Sequence, residues 1–315
     1  MKNIAIIGAG IAGLTAANEF TKAGHKVTIY EKSRGPGGRT STRRNGEERF
    51  DHGCPFFTAS YPQFIAAVKQ WIQADACAVW QGEFINDKQP GTIKYVGTPA
   101  MNSICKYLAK NQQVHTAKQV QPIKVDNDKY ILLDQDNNIL GKYDMVISTA
   151  PPEQTKALFA DIEPEIKNIC KPQMLPMFSV MLQLGSFTPP YAAKFYQHNI
   201  LGQVIFNNTK PNRGGANNVV IHCAQKYAID NVDKDKDTLK QAITDAFIND
   251  LGSALKIKFS TIHRWLYAKP ASTNNQQFYY NPKTRLAIAG DWLYNGDVQS
   301  AWLSGYRLAQ EIING

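Results

Sequence analysis

The fold is decided by residues 3–24, NIAIIGAGIAGLTAANEFTKAG, near the start of a chain of 315 residues. An apolar run at 3–7 leads into three closely spaced glycines, and the helical pattern that follows stops at Gly24. A second apolar run, KVTIY, occupies residues 26–30. A strand, a helix and a second strand within about thirty residues form a βαβ unit, so this segment predicts the first parallel strands of an α/β sheet.

The glycines of this segment have the spacing of a nucleotide-binding turn. Gly8, Gly10 and Gly13 follow the pattern G-x-G-x-x-G, and Glu31 stands at the end of the second predicted strand. The first glycine permits the sharp bend, the second lets the backbone approach a pyrophosphate, and the third lets the helix pack closely on the strand. The helix N-terminus attracts phosphate, and Glu31 can accept hydrogen bonds from a ribose 2′-hydroxyl. The segment predicts a dinucleotide site that disfavours a 2′-phosphate; a glycine-rich turn without a ligand is the alternative.

Two further motifs favour FAD over NAD. RGPGGRT at 34–40 places Arg39 behind paired glycines, where its guanidinium can bond to a pyrophosphate. AGDW at 289–292 ends an apolar strand with Asp291. Its carboxylate either accepts a hydrogen bond from a ribitol hydroxyl or caps a loop. The helix expected from Val298 points its positive end to where negative charge collects on a reduced flavin.

The composition is that of an ordinary globular protein, with 43% hydrophobic and 19% charged residues. The net charge is +9, but the basic residues are scattered and no nucleic-acid-binding motif is present, so small anionic molecules are the expected partners rather than nucleic acid. Five widely spaced cysteines without a C-x-x-C pair indicate a reducing, cytoplasmic location. The sequence contains no run of 18 apolar residues, so no membrane span is expected. The apolar start is interpreted as a strand and turn, not as a leader.

Periodicity along the rest of the chain predicts the remaining elements. Helices are expected at 61–73, 98–111, 151–159, 237–252 and 298–313, and strands at 174–184, 203–206, 218–224 and 285–292, with a hairpin turn at 136–138. The helix at 98–111 is expected to open with Pro99 behind a capping Thr98. The pattern indicates a nucleotide-binding part built from both ends of the chain, with a β-rich portion inserted between them.

Several longer stretches resemble a known family. GAGIAGL at 8–14, FDHGCPFFTA at 50–59 and AGDWLYNGDVQSAWLSGYRLA at 289–309 resemble the flavoprotein amine oxidase superfamily, and within it the renalase-like proteins. In the middle of the chain, NNTKPNR at 207–213 and HRWLYAKP at 263–270 are similar to two more specific segments of that group.

The resemblance implies an α/β fold, with a Rossmann-type FAD-binding domain of the p-hydroxybenzoate hydroxylase and amine oxidase kind and an inserted β-sheet-based substrate domain. The FAD-binding domain is expected at 1–58, 95–155 and 283–315, and the substrate domain at 59–94 and 156–282. The implied cofactor is non-covalent FAD. The implied activity is oxidation of dihydro isomers of NAD(P)H, a small-molecule substrate, with hydride passing to the flavin and then to O2 to give H2O2. No oligomeric state is predicted.

By matching position, the residues expected to contact FAD are Gly8, Gly10, Ile11, Ala12, Gly13, Glu31, Lys32, Gly38, Arg39, Thr40, Pro55, Phe56, Val120, Gly290, Asp291, Val298, Gln299 and Ala301.

The sequence departs from that family around the expected substrate pocket. Pro55-Phe56 stands in place of the usual Gln-Tyr, Phe206 in place of an arginine, and Gln299 in place of a carboxylate. Loss of the arginine removes a donor for an anionic or carboxamide group, an effect of about 1–3 kcal/mol. Because the lost groups are polar, the pocket is expected to be more hydrophobic than that of the family.

The resemblance also directs attention to candidate substrate contacts. Hydride transfer needs positioning more than acid–base chemistry, so the candidate catalytic residue, His263, is assigned to orienting the substrate. His263, Trp265 and Tyr267 alternate along one strand and share a face, which is either a stacking wall or core. The expected substrate residues are Phe56, Phe206, Asn207, Thr209, Trp265 and Trp302.

The run DHGC at 51–54 has the composition of a metal or nucleophile site. No further ligands follow at metal spacing, and hydride transfer needs no nucleophile, so no metal is expected and Cys54 is interpreted as a packed thiol. Three functions remain open. They are a renalase-like oxidase or dehydrogenase acting on a flat ring, an amine oxidase or desaturase with a more apolar substrate, and a non-catalytic FAD-binding module.

Overall fold

The computed structural model describes residues 1–159, 161–252 and 255–315. Within these ranges the helices are α1 (Ile11–Lys22), α2 (Pro62–Gln73), α3 (Ser103–Ala109), α4 (Pro152–Phe159), α5 (Ile166–Ile169), α6 (Gln225–Asp230), α7 (Lys236–Leu251) and α8 (Val298–Asn314). The strands are β1 (Asn3–Ile7), β2 (Lys26–Tyr30), β3 (Arg43–Asn45), β4 (Glu48–Phe50), β5 (Cys77–Val79), β6 (Phe84–Ile85), β7 (Tyr95–Gly97), β8 (Gln113–His115), β9 (Lys124–Asp126), β10 (Lys129–Leu133), β11 (Ile139–Tyr143), β12 (Met145–Ser148), β13 (Met174–Leu184), β14 (Ala193–Phe195), β15 (Leu201–Phe206), β16 (Asn217–Cys223), β17 (Ile257–Pro270), β18 (Phe278–Asn281) and β19 (Leu286–Ala289).

The first sheet carries the glycine turn. Its strand order is β18-β19-β12-β1-β2-β8, and all neighbours are parallel except β18, which is antiparallel to β19. Ile7 is paired with Tyr30 on one side and Ser148 on the other, so the carboxyl ends of β2, β1 and β12 lie side by side. Nucleotides bind at this edge of an open α/β sheet. The predicted α/β fold with a Rossmann-type domain is confirmed.

The second sheet is β17-β13-β16-β15-β14-β6 and is antiparallel except where β14 meets β6. Its outer face packs on α7 through residues such as Phe178 and Val180 of β13. Its inner face, which includes Met181 and Val220, belongs to the same core as β1 and α1. The inner face therefore lies against the nucleotide-binding part of the chain.

The two ends of the chain meet where α8 crosses α1. A Cβ added to Gly305 would lie 2.1 Å from the carbonyl oxygen of Ala12, so only glycine allows the two backbones to come this close. This contact brings the C-terminal helix to the first turn of α1. In the described ranges, no helix combines the length and apolarity needed to cross a membrane.

One expectation from the sequence differs from the structure. The helix expected at 98–111 begins only at Ser103, because the amide of Met101 donates to the carboxylate of Asp51 and Thr98 bonds to the carbonyl of Asp75 rather than capping a helix. The segment Phe278–Asn281 pairs in the first sheet, although the expected domain boundary at 282 places it in the substrate domain. We propose moving that boundary to the loop before β18.

Candidate functional site

The glycine turn after β1 is built for close approach from outside. Gly8 has φ +109°, and a Cβ on Gly13 would lie 2.2 Å from the carbonyl oxygen of Gly8, so both positions require glycine for the chain itself. Gly10 differs, because among the described residues no atom lies within 4 Å of an added Cβ. Gly10 is also the N-cap of α1, and no side chain caps that end of the helix. Open space therefore faces the uncapped, positive end of α1, as an anionic ligand requires.

Glu31 is fixed beside this turn. The side chain is buried, with one carboxylate oxygen accepting from the amide of Ala9 at 2.9 Å and the other accepting from the amide of Ser33 at 2.8 Å. Each oxygen keeps a further lone pair for a ligand hydroxyl. The amide of Lys118 donates to the carbonyl of Glu31, which brings Val120 to the same end of the sheet.

The loop at 34–40 lies directly on the glycine turn. The amide of Gly37 donates to the carbonyl of Ala9 at 3.0 Å, and a Cβ on Gly38 would lie 3.7 Å from the Cα of Gly10. The hydroxyl of Thr40 donates to the carbonyl of Gly37 and is buried. The structure thus brings both predicted nucleotide motifs together.

Arg39 and Asp291 form a bidentate ion pair. One guanidinium nitrogen donates to Oδ2 of Asp291 at 2.8 Å and also to the carbonyl of Ala268 at 3.2 Å, and the second donates to Oδ1. The carbonyl of Arg39 accepts from the amide of Cys54 at 2.7 Å. Arg39 therefore joins the loop at 34–40 to the strand β17 and the Gly290-Asp291 motif through its guanidinium, and to the turn at 53–56 through its backbone carbonyl.

The N-terminus of α8 is capped by Asp297. The carboxylate of Asp297 accepts from the amide of Ser300 at 2.6 Å, while Val298 and Ala301 lie within the same turn. The side chain of Gln299 points to the start of α2, where its oxygen accepts from the amides of Ser60 and Tyr61.

Lys32 also points away from the turn. Its ammonium donates to Gln154 on the surface. Lys32 and Gln299 are therefore bonded to protein groups, and their expected cofactor contacts stay predictions.

A buried charge cluster centres on Asp51, whose role the sequence did not reveal. One oxygen accepts from the hydroxyl of Thr42 and the amide of Met101; the other accepts from Lys210 at 3.0 Å and from two nitrogens of Arg213 at 3.1 and 2.7 Å. Burial acts to raise the pKa of Asp51, but the two cations outweigh it and hold that pKa well below its usual value. Burial lowers the pKa of Lys210 to about 8.

Three histidines and a tryptophan meet on the inner face of the second sheet. The carbonyl of His52 lies 3.0 Å from the indole nitrogen of Trp265 and 3.1 Å from Nε2 of His222, so it accepts from the first and is within hydrogen-bond distance of the second. The ring of His263 lies 4.9 Å from that of His52 and 4.5 Å from that of Trp265. Burial lowers the pKa of His52 and His222 to about 4 and lowers that of His263, so all three are neutral at pH 7.

Trp265 connects these histidines to the nucleotide motifs. A Cβ on Gly53 would lie 3.0 Å from the indole of Trp265 and 2.1 Å from the carbonyl of Arg39. The ring therefore packs against the turn that Arg39 anchors. His263 and Trp265, both predicted as substrate-side residues, are brought together beside that turn.

A second group of aromatic rings includes Phe56, which belongs to the same turn. The ring of Phe56 lies 5.7 Å from that of Trp80 and 6.0 Å from that of Phe195, and both phenylalanines are partly exposed. The indole nitrogen of Trp80 donates to the hydroxyl of Thr209 at 3.2 Å, so Thr209 supports the cluster from behind. Asn207 is buried and donates to the carbonyl of Arg49. We refer to Phe56, Trp80 and Phe195 as the aromatic cluster.

Two predicted substrate residues do not join the inner-face group. Phe206 is fully buried on the outer face, with its ring 5.6 Å from Phe187 and 5.3 Å from Tyr191. Trp302 stacks on Tyr306 at 4.8 Å and packs on Phe64 of α2 at 5.6 Å. The expected substrate role of Phe206 is corrected here, because the register of β15 points its side chain into the opposite core.

The run at 51–54 also differs from a metal centre. Within the described part of the chain, no group of three or more His, Cys, Asp or Glu side chains is placed to hold a metal ion. Burial raises the pKa of the Cys54 thiol to about 12, so the thiolate is absent at neutral pH.

Comparison with known proteins identifies the family. Residues 6–71 match the model of an NAD(P)-binding Rossmann-like domain, and residues 74–313, most of the chain, match the flavin containing amine oxidoreductase model. The chain is 29% identical over 161 residues to an L-amino-acid oxidase of Daboia russelii, covering 45% of this chain and 31% of that protein. A stretch of 52 residues, 16% of this chain and 9% of the relative, is 48% identical to a phytoene desaturase of Fusarium fujikuroi. The chain therefore matches less than a third of the length of these relatives.

Solved structures share the whole architecture. A putative protoporphyrinogen oxidase from Exiguobacterium superposes with a TM-score of 0.79 at 12% identity, covering 99% of both chains. A putrescine oxidase variant superposes with a TM-score of 0.76 at 13% identity, also over 99% of both chains. At these identities the likeness shows the fold.

The residues present fit the cofactor of this family. The open space before Gly10, the uncapped end of α1 and the fixed carboxylate of Glu31 suit the pyrophosphate and ribose of a dinucleotide. Taken with the match over residues 74–313, they show that the chain belongs to the flavin-containing amine oxidoreductase family.

Proposed function

We propose that this enzyme takes a hydride from a flat, electron-rich, uncharged ring, such as a reduced nicotinamide isomer, with O2 as the final acceptor. The oxidoreductase family to which the chain belongs favours an enzyme over a non-catalytic FAD-binding module. Bound FAD supplies the hydride acceptor. The protein's task is then to hold the dinucleotide and to orient the ring.

The glycine turn, Glu31 and the loop at 34–40 would hold the nucleotide end of FAD. Pro55 and Phe56, together with the Gly290-Asp291 motif, would lie towards the flavin. This assignment is supported by the contacts of Arg39, which bonds to Asp291 and to the turn that precedes Pro55.

The observation that carries the substrate proposal is the neutral aromatic character of the inner face. His52 and His263 are held neutral by burial, and both pack against Trp265, His52 at a tilted angle and His263 edge to face. Neutral imidazoles can donate or accept a hydrogen bond without adding charge, which suits a polar but uncharged ring. The carboxylates beside this face, Asp51 and Asp291, are each paired with cations, so neither is free to bind an ammonium group.

Anaerobic flavin reduction tests this proposal. The purified holoenzyme is mixed without oxygen with the 2- and 6-dihydro isomers of NAD, with NADH and NADPH, and with primary amines. We expect the isomers to bleach the flavin rapidly, and readmitted O2 to restore the colour with formation of H2O2. If the isomers leave the flavin oxidised over many minutes while dithionite reduces it, the proposal is wrong.

Amine oxidation is the second candidate, favoured by the aromatic cluster. Phe56 and Phe195 approach edge to face and remain partly exposed, an arrangement that could enclose an apolar, neutral amine. Several matched relatives are named L-amino-acid oxidase. In the same experiment, faster bleaching by amines or amino acids than by the dihydro isomers would favour this candidate.

A further inference from the structure

A buried cation lies at the base of the aromatic cluster. The side chain of Lys210 has no exposed surface, and its ammonium lies 5.4 Å from the ring centroid of Trp80. Trp80 packs on Phe56, which in turn packs on Phe195. The two phenylalanines are partly exposed and meet edge to face, while Trp80 and Lys210 are buried behind them, so a planar molecule would reach Lys210 by parting the two rings.

This cation is part of a cluster with surplus positive charge. Lys210 and Arg213 share one carboxylate, Asp51, and all three side chains are buried. Arg213 has two further acceptors, the carbonyls of Pro211 and Gly97. An ammonium carries three N–H donors, but within the described part of the chain that of Lys210 bonds only to Asp51. A buried charge with unused donors is unfavourable unless a ligand or water accepts from it.

A second buried lysine forms an ion pair in which the positive and negative charges balance. Lys94 is almost fully buried and lies 4.5 Å from the ring centroid of Phe84. Its ammonium is paired with one carboxylate, that of Asp87. This pair has no surplus charge. Burial against an aromatic ring is therefore common to both lysines, and the surplus charge distinguishes Lys210.

We propose that Lys210 binds the carboxamide oxygen of a planar ring held by the aromatic cluster, and that a carboxylate on the same ring binds to it more tightly. This inference rests on the proposed function and deepens it, because it states which substituent the ring carries. The aromatic cluster supplies stacking surface for the ring, and a charge-assisted hydrogen bond from Lys210 fixes its orientation.

Three ring compounds that cannot be oxidised test the proposal on the holoenzyme. Benzoate, benzamide and toluene share the ring and differ in the substituent, and their binding is followed by the change in flavin absorption. We expect benzoate to bind more tightly than benzamide, and benzamide more tightly than toluene. Lys210→Met should weaken benzoate roughly tenfold or more while leaving toluene unchanged, since of the two only benzoate accepts a charge-assisted hydrogen bond from Lys210.

Lys94→Met is the matched control, because it neutralises a lysine that is equally buried and also lies against an aromatic ring. It should leave the benzoate-to-toluene affinity ratio at its wild-type value. An unchanged ratio in Lys210→Met, or failure of the wild type to bind any of the three rings, would overturn the proposal. These measurements need no turnover. An enzyme that binds benzoate through Lys210 but is not reduced by dihydronicotinamides would refute the proposed substrate and keep this inference.

The wild type offers a readout that does not depend on the variant folding. Burial lowers the pKa of Lys210 to about 8, and the titratable and charged groups that face it are Asp51, Arg213, Cys54 and His222. Lys210 is charged below that pH and neutral above it, so benzoate affinity should fall as the pH rises through about 8. Toluene affinity should stay constant. Equal pH dependence for both ligands would contradict the proposal.

Discussion

Replacing Asp51 with asparagine removes one negative charge from a buried cluster while leaving its volume almost unchanged. The oxygen that accepts from Thr42 and Met101 is retained. The oxygen that accepts from Lys210 and Arg213 becomes an amide nitrogen, which can only donate. Two buried cations then face a donor and have lost their common counter-ion.

The expected loss follows from the burial of all three side chains, whose exposed fractions are 0%, 0% and 1%. Breaking a buried ion pair by removing one partner costs about 3–5 kcal/mol. At about 2–4 °C per kcal/mol for chains of a few hundred residues, the melting temperature should fall by roughly 6–20 °C. Because Asp51 joins the turn at 53–56 to the segment at 210–213, flavin content should fall as well.

Thermal unfolding at several pH values is the assay. The pKa of Asp51 is held below its unfolded value, so its contribution to stability is present above about pH 4 and is lost as the pH falls further. The difference in melting temperature between wild type and Asp51→Asn should therefore be largest near neutral pH and narrow below about pH 4.

Asp87→Asn is the matched control for this change. Asp87 is paired with only one lysine and is 12% exposed, so its replacement should cost less. If Asp51→Asn and Asp87→Asn lower the melting temperature equally, or if the Asp51→Asn difference is independent of pH, the assignment of Asp51 as the shared counter-ion is wrong.

Three further predictions concern the glycine turn and His222. Gly13→Ala should destabilise the protein by about 1–3 kcal/mol and abolish FAD binding, because its Cβ would lie 2.2 Å from the carbonyl oxygen of Gly8. Gly10→Ala should leave the melting temperature of the cofactor-free protein unchanged and still lower flavin content, since its Cβ meets no described atom; normal flavin content would contradict a ligand in that space. The pKa of His222 is lowered to about 4 by burial, so the unfolded chain binds a proton that the folded chain does not between about pH 6.5 and 4, and wild-type stability falls as the pH drops through that window. His222→Gln should lose less stability between pH 7.5 and 4.5 than the wild type, and an equal loss would count against the buried, neutral histidine.

The sequence predicts well those features of the fold that depend on neighbouring residues. The glycine spacing, Glu31 at the end of β2 and the helix from Val298 all follow from short patterns, and the structure places the two nucleotide motifs in contact. Spacing of this kind reports backbone geometry, which neighbouring residues determine. Helix and strand positions along most of the chain were predictable for the same reason.

The charge cluster could not be predicted in this way. Asp51 and Lys210 are 159 positions apart, and Lys210 and Arg213 could as easily lie on a solvated surface. Phe206 was assigned to the substrate from the family resemblance, and a strand with two apolar faces does not show which face meets the site. In β15, Ile205 faces the inner core and Phe206 the outer one, and the strand sequence LGQVIF does not distinguish them.

The segment at 51–56 has a structural role that its composition conceals. Asp51 neutralises the cations, His52 bonds to the second sheet, and the amide of Cys54 anchors the backbone of Arg39. Phe56 then forms part of the aromatic cluster. Because cofactor motifs and substrate-side residues are held by neighbouring positions of one short segment, a backbone shift at Gly53 would move both sides of the site together. Coupling of this kind explains why a carboxylate, a histidine and a thiol stand so close in the sequence without forming a metal or nucleophile site.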